Sequence, residues 1–587
     1  MRPAITITLL FALAVGAGFV AAQEARQDSV VDQSGSEPGT EDMIGGLAFV
    51  DEVEVTVVDI IAYVTDKSGE AVTDLTKDDF RLFQDGEERP ISNFQLYTEE
   101  LIRNYYQNQD NVALAAARSA LTETEVPSED KLTQIQPIWL MIFIDNDNLR
   151  PLDRNRVLGQ AQAFIRSNAQ PPVQMMVVNY NKTLSVVQEF TSDPDEVMGA
   201  LKSLRMNTGG RTTRDNTRNE FYDELDRFNT EQGRSTANSV QRARTLAYGF
   251  AEEEQNALFF TLSAVREAVN MMSGLPGKKK ILYISNGLPM IPGIDLFYAL
   301  SSAIDDPGMI SEGTRYSQTR QFDALVKNAN AQGVTFYTVS ASGLQNSTMT
   351  TAETSGRRDT QAAMLAQSNY LDSLRFMADE TGGVAIFNTN DVGVHLDRIE
   401  QDFYTYYSIG YTLQASGADK VHRVKLTIPD HPEYRLRYQR RIVEKSLESR
   451  VQDRVMTGLV IPLEENNLGI ALTTGKPVPA SETRWTVPFE LSFPIQNVAL
   501  FLQDGDYVGR VSMFLAARDD DGKQSDLIRQ EHEVRIAAAD YEEAQKRKFT
   551  IKASLLMETG SYKVSAGLLD HITRQTGFTT TSVFTGE

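Results

Sequence analysis

The stretch PIWLMIFIDNDNLRP, Pro137 to Pro151, decides the fold of this chain. Its apolar run stops abruptly at two acidic residues, Asp145 and Asp147, which alternate with asparagines. A continuous apolar run of this length is typical of a parallel strand that is buried on both faces. Open α/β sheets bind ligands at the carboxyl ends of such strands, and a loop can aim two carboxylates at positions i and i+2 towards one hard cation. The sequence therefore predicts a ligand site at this strand end.

Alternating strand and helix patterns follow this run as far as about residue 391. Four further apolar stretches are separated by segments with helical spacing. They are Val173 to Asn181, Lys278 to Gly287, Gly333 to Ala341 and Gly382 to Phe387. This alternation predicts an α/β domain with a doubly wound, mostly parallel sheet. A long polar segment, 207–256, interrupts the pattern, and we expect its second half to be helical.

Patterns typical of β-structure flank the α/β region on both sides. Residues 48–97 predict a small β-domain, in which Asp85-Gly86 is the turn of a hairpin. Beyond Asp391, alternating apolar and polar residues predict a β-hairpin extension that completes a domain at 137–443. Turn signals between several more strands predict a C-terminal β-sandwich at 455–587. The charged stretch from Glu444 to Arg454 is then either a linker or a short helix.

The N-terminal residues carry an export pattern. Met1 to Ala22 has a basic start, an apolar segment and a small-residue cleavage site, as secretory signal peptides do. The polar residues 23–47 predict a disordered linker, and residues 98–136 predict a helical connector. No later apolar run approaches the length of a membrane span. We therefore expect an exported protein in the periplasm, on the outer cell surface or in the extracellular medium, without a membrane span once the signal is removed.

Composition narrows the function classes further. With 587 residues the chain exceeds one core, and roughly 100–200 residues per domain predicts three or four domains. The formal net charge of −23 argues against nucleic-acid binding, which needs a surplus of Lys and Arg. The chain contains no cysteine, which excludes disulfides, thiol chemistry and a lipid on an N-terminal Cys. An export signal without disulfides fits a bacterial envelope or secreted protein.

Catalytic motifs are absent from the sequence. The five histidines, at 395, 422, 431, 532 and 571, are scattered and form no H-E-x-x-H motif. His422 and His431 flank one hairpin, and a solvated strand edge is favoured there over an approach of the two imidazoles. There is no G-x-S-x-G motif and no P-loop. We therefore expect a non-enzymatic protein with no catalytic and no cofactor-binding residues.

Several of these stretches together resemble the von Willebrand factor type A (VWA) fold and, more narrowly, bacterial secreted VWFA-related proteins. In that group a segment V-D-x-x-G-x-x-V-x-x-L-x-x-x-D-F-x-x-x-x-D-G precedes the VWA domain. Here the segment is VTDKSGEAVTDLTKDDFRLFQDG, Val64 to Gly86. Three more stretches carry the rest of the resemblance. They are the strand that ends in Asp145-x-Asp147, YISNG at Tyr283 to Gly287 and TGGVAIF at Thr381 to Phe387. The resemblance covers about residues 48–443 and implies a VWA-like domain at 137–443.

The resemblance also implies a metal-ion-dependent adhesion site. Its consensus is D-x-S-x-S after the first strand, a Thr from a later loop and an Asp after the fourth strand. Asp145 matches the first Asp, whereas Asp147 and Leu149 replace the two Ser. Asn286, in Ser285-Asn286-Gly287, stands where the second Asp is expected and keeps an oxygen donor without its charge. We expect weak binding of Mg²⁺ or another divalent cation, because one ligand is lost.

The remaining ligand implied by the family is a threonine. Thr212, after Gly209-Gly210, is the candidate, and Thr208 and Thr213 are close alternatives. The implied metal ligands are therefore Asp145, Asp147, Thr212 and Asn286. In the opposite interpretation, Asp145 and Asn148 only hydrogen-bond the turn, and Arg211 or Arg214 places a guanidinium against the two carboxylates instead of a cation.

Three hypotheses about function follow. The first is an exported adhesion-type protein that binds a protein ligand at the carboxyl edge of the sheet, with or without a bridging cation. The second is a structural component of an envelope assembly with a non-functional metal site. The third, a hydrolase, is disfavoured by the missing nucleophile and base. The partner and the oligomeric state are not encoded in any of these patterns.

Overall fold

The computed structural model of the protein describes residues 55–104, 106, 137–230, 236–344, 360–414, 419–461, 463, 465–520 and 522–586. The predicted signal peptide, 1–22, and the predicted linker, 23–47, lie outside these residues. So does most of the predicted connector 98–136, of which residues 99–104 are helical. Within the described residues, no helix combines the length and the apolar character that crossing a membrane requires.

The first half of the chain contains the following elements. Its N-terminal strands are β1 (Val55–Thr65), β2 (Arg81–Gln84), β3 (Glu87–Arg89) and β4 (Ile91–Tyr97). The central strands are β5 (Ile138–Asp145), β6 (Val173–Tyr180), β7 (Leu184–Thr191), β8 (Lys278–Ser285), β9 (Val334–Ser340) and β10 (Ala385–Ile386). The central helices are α1 (Pro151–Asn168), α2 (Pro194–Ser203), α3 (Arg211–Thr230), α4 (Thr236–Met271), α5 (Ile294–Ile304), α6 (Gly308–Thr314), α7 (Thr319–Ala331), α8 (Thr360–Thr381) and α9 (Gly393–Tyr404).

The rest of the chain is mostly β-structure. The strands after the central helices are β11 (Tyr406–Gln414), β12 (Lys420–Thr427), β13 (Arg435–Tyr438) and β14 (Arg441–Glu444), followed by helix α10 (Leu447–Gly458). The C-terminal strands are β15 (Ala471–Thr474), β16 (Val478–Pro479), β17 (Arg484–Pro494), β18 (Phe501–Gln503), β19 (Asp506–Asp519), β20 (Ile528–Ala537), β21 (Lys548–Glu558), β22 (Gly560–Asp570) and β23 (Thr576–Thr585), with helix α11 (Tyr541–Ala544) between β20 and β21.

The central sheet has the order β7-β6-β5-β8-β9-β10. All neighbours are parallel except β6 and β7, which are antiparallel. Numbered along the chain, this is the order 3-2-1-4-5-6 of doubly wound α/β folds. The predicted doubly wound, mostly parallel sheet is therefore confirmed.

Both faces of this sheet are covered by helices, which explains the unbroken apolar run of β5. Leu140 and Ile142 lie in a core with residues of α1, α2 and α9. Met141 and Phe143, which point the other way, lie in a second core with residues of α4, α7 and α8. Because successive residues of a strand face opposite sides, a strand between two helical layers must be apolar at every position.

The N-terminal strands do not form a domain of their own. β1 pairs with β11 and β13, and β4 pairs with β11, while β2 pairs with β12. The prediction of a separate small β-domain at 48–97 therefore needs correction, as does the assignment of the hairpin up to residue 443 to the central domain. The two segments build one sandwich because the apolar faces of their strands share one core. The predicted hairpin turn is confirmed, with positive φ at Asp85 and Gly86, as two-residue hairpins require.

Buried lysines join this sandwich to the beginning of β8. Nζ of Lys280 donates to the hydroxyls of Tyr63 on β1, at 3.0 Å, and Tyr337 on β9, at 2.9 Å. Burial lowers the pKa of Lys280 to about 7 and that of Lys279 to about 8. Lys278 places its ammonium 3.2 Å from the centre of the Tyr406 ring. The sandwich therefore sits at the end of the sheet opposite to the carboxyl ends of the strands.

The C-terminal strands form two antiparallel sheets that pack on each other. One sheet contains β15, β16, β17 and β21, the other β18, β19, β20, β22 and β23, and their inner faces share a core. Of the two alternatives for Glu444 to Arg454, the structure has a helix, α10. Its Val455 is buried on the second sheet, and the Thr457 hydroxyl donates to the carbonyl of Ser273, 2.6 Å away, just after α4. The helix thus contacts both domains.

Candidate functional site

The two aspartates lie where the strand order reverses. β5 ends at Asp145, a 3₁₀ turn over Asn146–Asn148 follows, and α1 begins at Pro151. The neighbouring strand β8, which is the fourth along the chain, ends at Ser285. Ligands of open α/β sheets bind at this switch point, and we call this part of the molecule the carboxyl edge.

Asp145 is fully buried and saturated by donors of its own domain. Its Oδ2 accepts hydrogen bonds from the Tyr283 hydroxyl at 2.5 Å and the Ser285 hydroxyl at 2.8 Å. Nδ2 of Asn148 donates to its Oδ1 at 3.0 Å. Burial raises the pKa of the Asp145 carboxyl, although these hydrogen bonds oppose the shift. The carboxyl group therefore has its hydrogen-bonding capacity used before any ligand arrives.

Asp147 is paired with an arginine from α3. Nη1 of Arg214 lies 2.9 Å from Asp147 Oδ2, and both side chains are almost completely buried. Nη2 of the same guanidinium donates to the Asp147 carbonyl at 2.8 Å and to Asn148 Oδ1 at 2.7 Å. The planar fork thus holds three acceptors of one turn. Of the two arginines considered from the sequence, Arg214 takes the position against the carboxylate.

Two glycines allow the loop before α3 to approach this turn. A Cβ atom on Gly209 would lie 1.8 Å from the carbonyl oxygen of Asn146, and one on Gly210 would lie 2.6 Å from Asp147 Oδ1. The Gly210 amide instead donates to that oxygen at 3.2 Å. Any side chain at either position would push the loop, and Arg214 with it, away from Asp147.

The other predicted ligands are not brought to the carboxylates. Thr212 is exposed in the first turn of α3, and so is Thr213. Asn286 is buried, but its Nδ2 donates to Asp153 Oδ2 at 2.7 Å. Its Oδ1 has no hydrogen-bond partner among the described residues. Leu149, which replaces the second consensus Ser, is buried in the core below.

These contacts do not fit a divalent cation. A hard cation needs several free oxygen ligands, whereas Asp145 accepts hydrogen bonds from three side chains and Asp147 already faces a guanidinium. Among the described residues no cluster of three or more His, Asp or Glu side chains is arranged to hold a metal ion. Metal binding by Asp145, Asp147, Thr212 and Asn286 therefore stays a prediction. It would require the Arg214 guanidinium to move away from Asp147 first.

The polar insertion covers this edge through a second buried network. Nε of Arg211 lies 3.2 Å from Asp215 Oδ1, and its guanidinium lies 4.5 Å from the centre of the Tyr370 ring. The Tyr370 hydroxyl donates to Glu254 on α4, whose pKa is raised by burial. Burial opposes the charged form of Arg211, but neighbouring acidic groups raise its pKa overall. The network joins α3 and α4 to α8.

Arg154 is a site residue that the sequence reasoning missed. Its buried guanidinium donates to Asn146 Oδ1 and to the carbonyls of Arg205 and Asn207, each at 2.5 Å. Burial lowers its pKa. A signal was present, because position 154 lies on the same stripe of α1 as the buried residues 157, 158, 161 and 165. An arginine on the apolar stripe of a helix has to have buried acceptors.

Two large apolar side chains project from the segments that Arg154 ties together. Leu152, in the first turn of α1, is 84% exposed, and Met206, in the loop after α2, is 88% exposed. Both segments border the turn that carries Asp147. The carboxyl edge therefore combines a buried polar interior, most of whose groups are hydrogen-bonded, with exposed apolar side chains.

His422 differs from its sequence-based interpretation. It is buried rather than solvated, with Nδ1 2.7 Å from Asp85 Oδ2 and Nε2 3.3 Å from Glu444 Oε2. His431 instead stacks on Tyr434, with ring centres 5.0 Å apart. The two imidazoles have separate partners, and His422 ties the strands β2, β12 and β14 together.

Comparison with known proteins gives only distant likenesses. No protein-family model and no curated protein matches the chain. Among solved structures, an aerotolerance-related membrane protein from Bacteroides fragilis aligns with 45% of this chain and 98% of its own at 11% identity, with a TM-score of 0.22. BatB from Bacteroides thetaiotaomicron aligns over 45% and 98% at 9% identity, with a TM-score of 0.19. A manganese-loaded TRAP protein from Plasmodium vivax aligns over 60% and 87% at 8% identity, with a TM-score of 0.18. These scores are too low to assign a family, so the fold description rests on the chain's own strand order.

Proposed function

We propose that this is an exported, non-enzymatic binding protein whose central domain is VWA-like and recognises a protein partner at the carboxyl edge without a bridging cation. The contact between Arg214 and Asp147 carries the proposal. In the family that the sequence resembles, a metal ion occupies the position between such carboxylates and the ligand. Here a fixed guanidinium supplies the positive charge from within the chain, so binding needs no metal.

The exterior of the edge supports binding to a protein rather than to a small molecule. Leu152 and Met206 are the most exposed large apolar side chains among the described residues. A contiguous exposed apolar patch with a polar rim marks a protein–protein contact site, and Arg154 holds the segments that carry these two side chains together. Methionine is also common on surfaces that adapt to a partner. The absence of nucleophile and metalloprotease motifs from the sequence supports the non-enzymatic part of the proposal.

Export is supported by the sequence pattern of Met1 to Ala22. An envelope or extracellular partner is therefore expected, and the test should use proteins from that compartment. The purified mature protein, immobilised through its C-terminus, would be incubated with the envelope fraction of the native cells. Captured proteins would be quantified with and without the chelator EDTA.

Two matched variants make this experiment specific. Leu152→Glu/Met206→Glu changes the carboxyl edge, and Leu502→Glu/Phe584→Glu changes two exposed apolar positions in the C-terminal sandwich. We expect one protein to be captured by the wild type and the control variant, insensitive to EDTA, and lost with the edge variant. Release by EDTA would contradict cation-independent binding. Equal capture by the edge variant would show that the edge is not the binding surface.

A specific observation favours a second candidate, a structural component of an envelope assembly that binds through α4, the helix whose first part belongs to the insertion 207–256. Phe259 and Phe260 on α4 are 52% and 60% exposed, and their rings form an edge-to-face pair with centres 5.6 Å apart. Adjacent exposed aromatic residues are common anchors of protein interfaces. Capture that is lost with Phe259→Ser/Phe260→Ser but kept with the edge variant would favour this candidate over the first.

A further inference from the structure

A basic groove runs along the outer face of the N-terminal sandwich, at the end of the molecule opposite to the carboxyl edge. It has a volume of about 880 Å³ and lies between β12 and the end of α8. Phe83 and Tyr438 contribute aromatic surface to it, and Arg423, Lys425 and Arg440 contribute positive charge. Such a concentration of cations stands out in a chain with a formal net charge of −23.

The strand pattern explains why these cations face the solvent. Along β12 the side chains alternate, with His422, Val424 and Leu426 buried and Arg423 and Lys425 exposed. The register places Lys425 opposite Phe83 of β2, and the Lys425 ammonium lies 5.9 Å from the centre of that ring. Two exposed cations at positions i and i+2 of one strand are about 7 Å apart.

Nearby carboxylates do not neutralise these two cations. Asp85 accepts a hydrogen bond from the Arg423 backbone amide at 2.9 Å and lies 2.7 Å from the His422 ring. Glu380 pairs with Arg441 at 3.2 Å. Within the described residues, the side chains of Arg423 and Lys425 have no ion-pair partner. Their charge is therefore available to a ligand.

We propose that this groove binds an extended acidic segment of a partner protein, with acidic side chains at alternate positions. In an extended peptide, side chains i and i+2 lie on one side about 7 Å apart, which matches the spacing of Arg423 and Lys425. This inference concerns a surface distant from the carboxyl edge and does not depend on the function proposed for that edge.

The guanidinium of Arg441 is already paired with carboxylates of this chain, which disfavours binding of a compact anion such as phosphate. Its Nη1 lies 2.7 Å from Asp323 Oδ1, in addition to the contact with Glu380. Phosphate binding favours guanidinium groups that converge on one point. The two free cations instead follow the direction of a strand, which fits a linear ligand.

A fluorescence-polarisation assay tests the proposal with the full-length mature protein. The probe is a fluorescein-labelled peptide of alternating Glu and Thr, compared with a peptide of the same composition in which all Glu residues are contiguous. The test variant is Arg423→Gln/Lys425→Gln. The control, Lys546→Gln/Lys548→Gln, removes the same charge from two exposed lysines with the same spacing in the C-terminal sandwich.

We expect the alternating peptide to bind the wild type more tightly than the contiguous one. Two partly exposed ion pairs predict an affinity loss of about fivefold to tenfold in the test variant and little change in the control. Equal losses in the two variants would reduce the effect to net charge and overturn the proposal. So would equal binding of the two peptides, no binding to the wild type, or displacement of the peptide by millimolar inorganic phosphate.

Discussion

Replacing Arg214 with methionine should destabilise the central domain strongly. The substitution keeps most of the apolar stem but removes the three guanidinium contacts, at 2.7 to 2.9 Å, with Asp147 and Asn148. Asp147 would then be a buried carboxylate with only the Gly210 amide as a donor. Breaking a buried ion pair by removing one partner costs about 3–5 kcal/mol. We expect this loss in the free energy of unfolding.

Urea unfolding measures the effect in the correct domain. The chain has two tryptophans, and Trp139 on β5 reports on the central sheet. All variants would carry Trp485→Phe, so that Trp139 is the only source of tryptophan fluorescence. With a urea dependence of about 2 kcal/mol per M, the midpoint should fall by roughly 1.5–2.5 M. The control, Arg166→Met on the exposed face of α1, should stay within about 0.5 kcal/mol of the parent.

A double variant separates the cost of the unpaired charge from lost packing. Because Asp147→Asn removes that charge, Asp147→Asn combined with Arg214→Met should recover at least about 2 kcal/mol of the penalty. A midpoint change below roughly 0.5 M in Arg214→Met would refute the reasoning. Strict additivity of the two substitutions would refute it as well, since it would mean that the two side chains do not interact.

Two further predictions concern the same molecule. Arg214→Ser should create a metal response at the carboxyl edge, so that millimolar Mg²⁺ or Mn²⁺ raises the Tm of this variant by binding to the native state. The Tm of the wild type should not change, and an increase there would show that Arg214 does not exclude the cation. Lys280 has a pKa of about 7 in the folded state, below its ordinary 10.5, so the unfolded state binds more protons between these values and stability rises with pH. Between pH 7 and pH 9 the wild type should therefore gain about 2–3 kcal/mol in the free energy of unfolding that Lys280→Met does not gain. Parallel plots of unfolding free energy against pH for the two proteins would contradict the lowered pKa.

Much of the central domain could be predicted from local pattern. The apolar run of β5 and the alternation of strands and helices after it were sufficient to predict a doubly wound sheet. In the N-terminal strands, Asp85-Gly86 was sufficient to predict the hairpin between β2 and β3. The shared N-terminal sandwich was not predictable in this way. Its pairing joins Asp59 to Gly410, and periodicity along a sequence carries no information about which distant strand is the neighbour.

The candidate site was predictable only in part. The position of Asp145 at a strand end followed from the sequence, whereas the choice between Arg211 and Arg214 depended on packing. The two arginines are three positions apart on one helix, so both face the domain. The guanidinium of Arg211 stacks on the ring of Tyr370 on α8, whereas that of Arg214 pairs with Asp147. The lysines at the start of β8 were also missed as buried groups, because lysine is rarely buried without a charged partner.

The pairing of β1 with β11 also affects the order in which the protein can be assembled. About 350 residues separate Asp59 from Gly410, so at 5–20 residues per second the ribosome delivers the partner strand roughly 20–70 s after the first. During that interval β1 is an unpaired edge that could associate with another chain. The central sheet, whose strands all lie between these two, can close earlier. Completion of the sandwich therefore marks the moment at which the entire central domain has been synthesised.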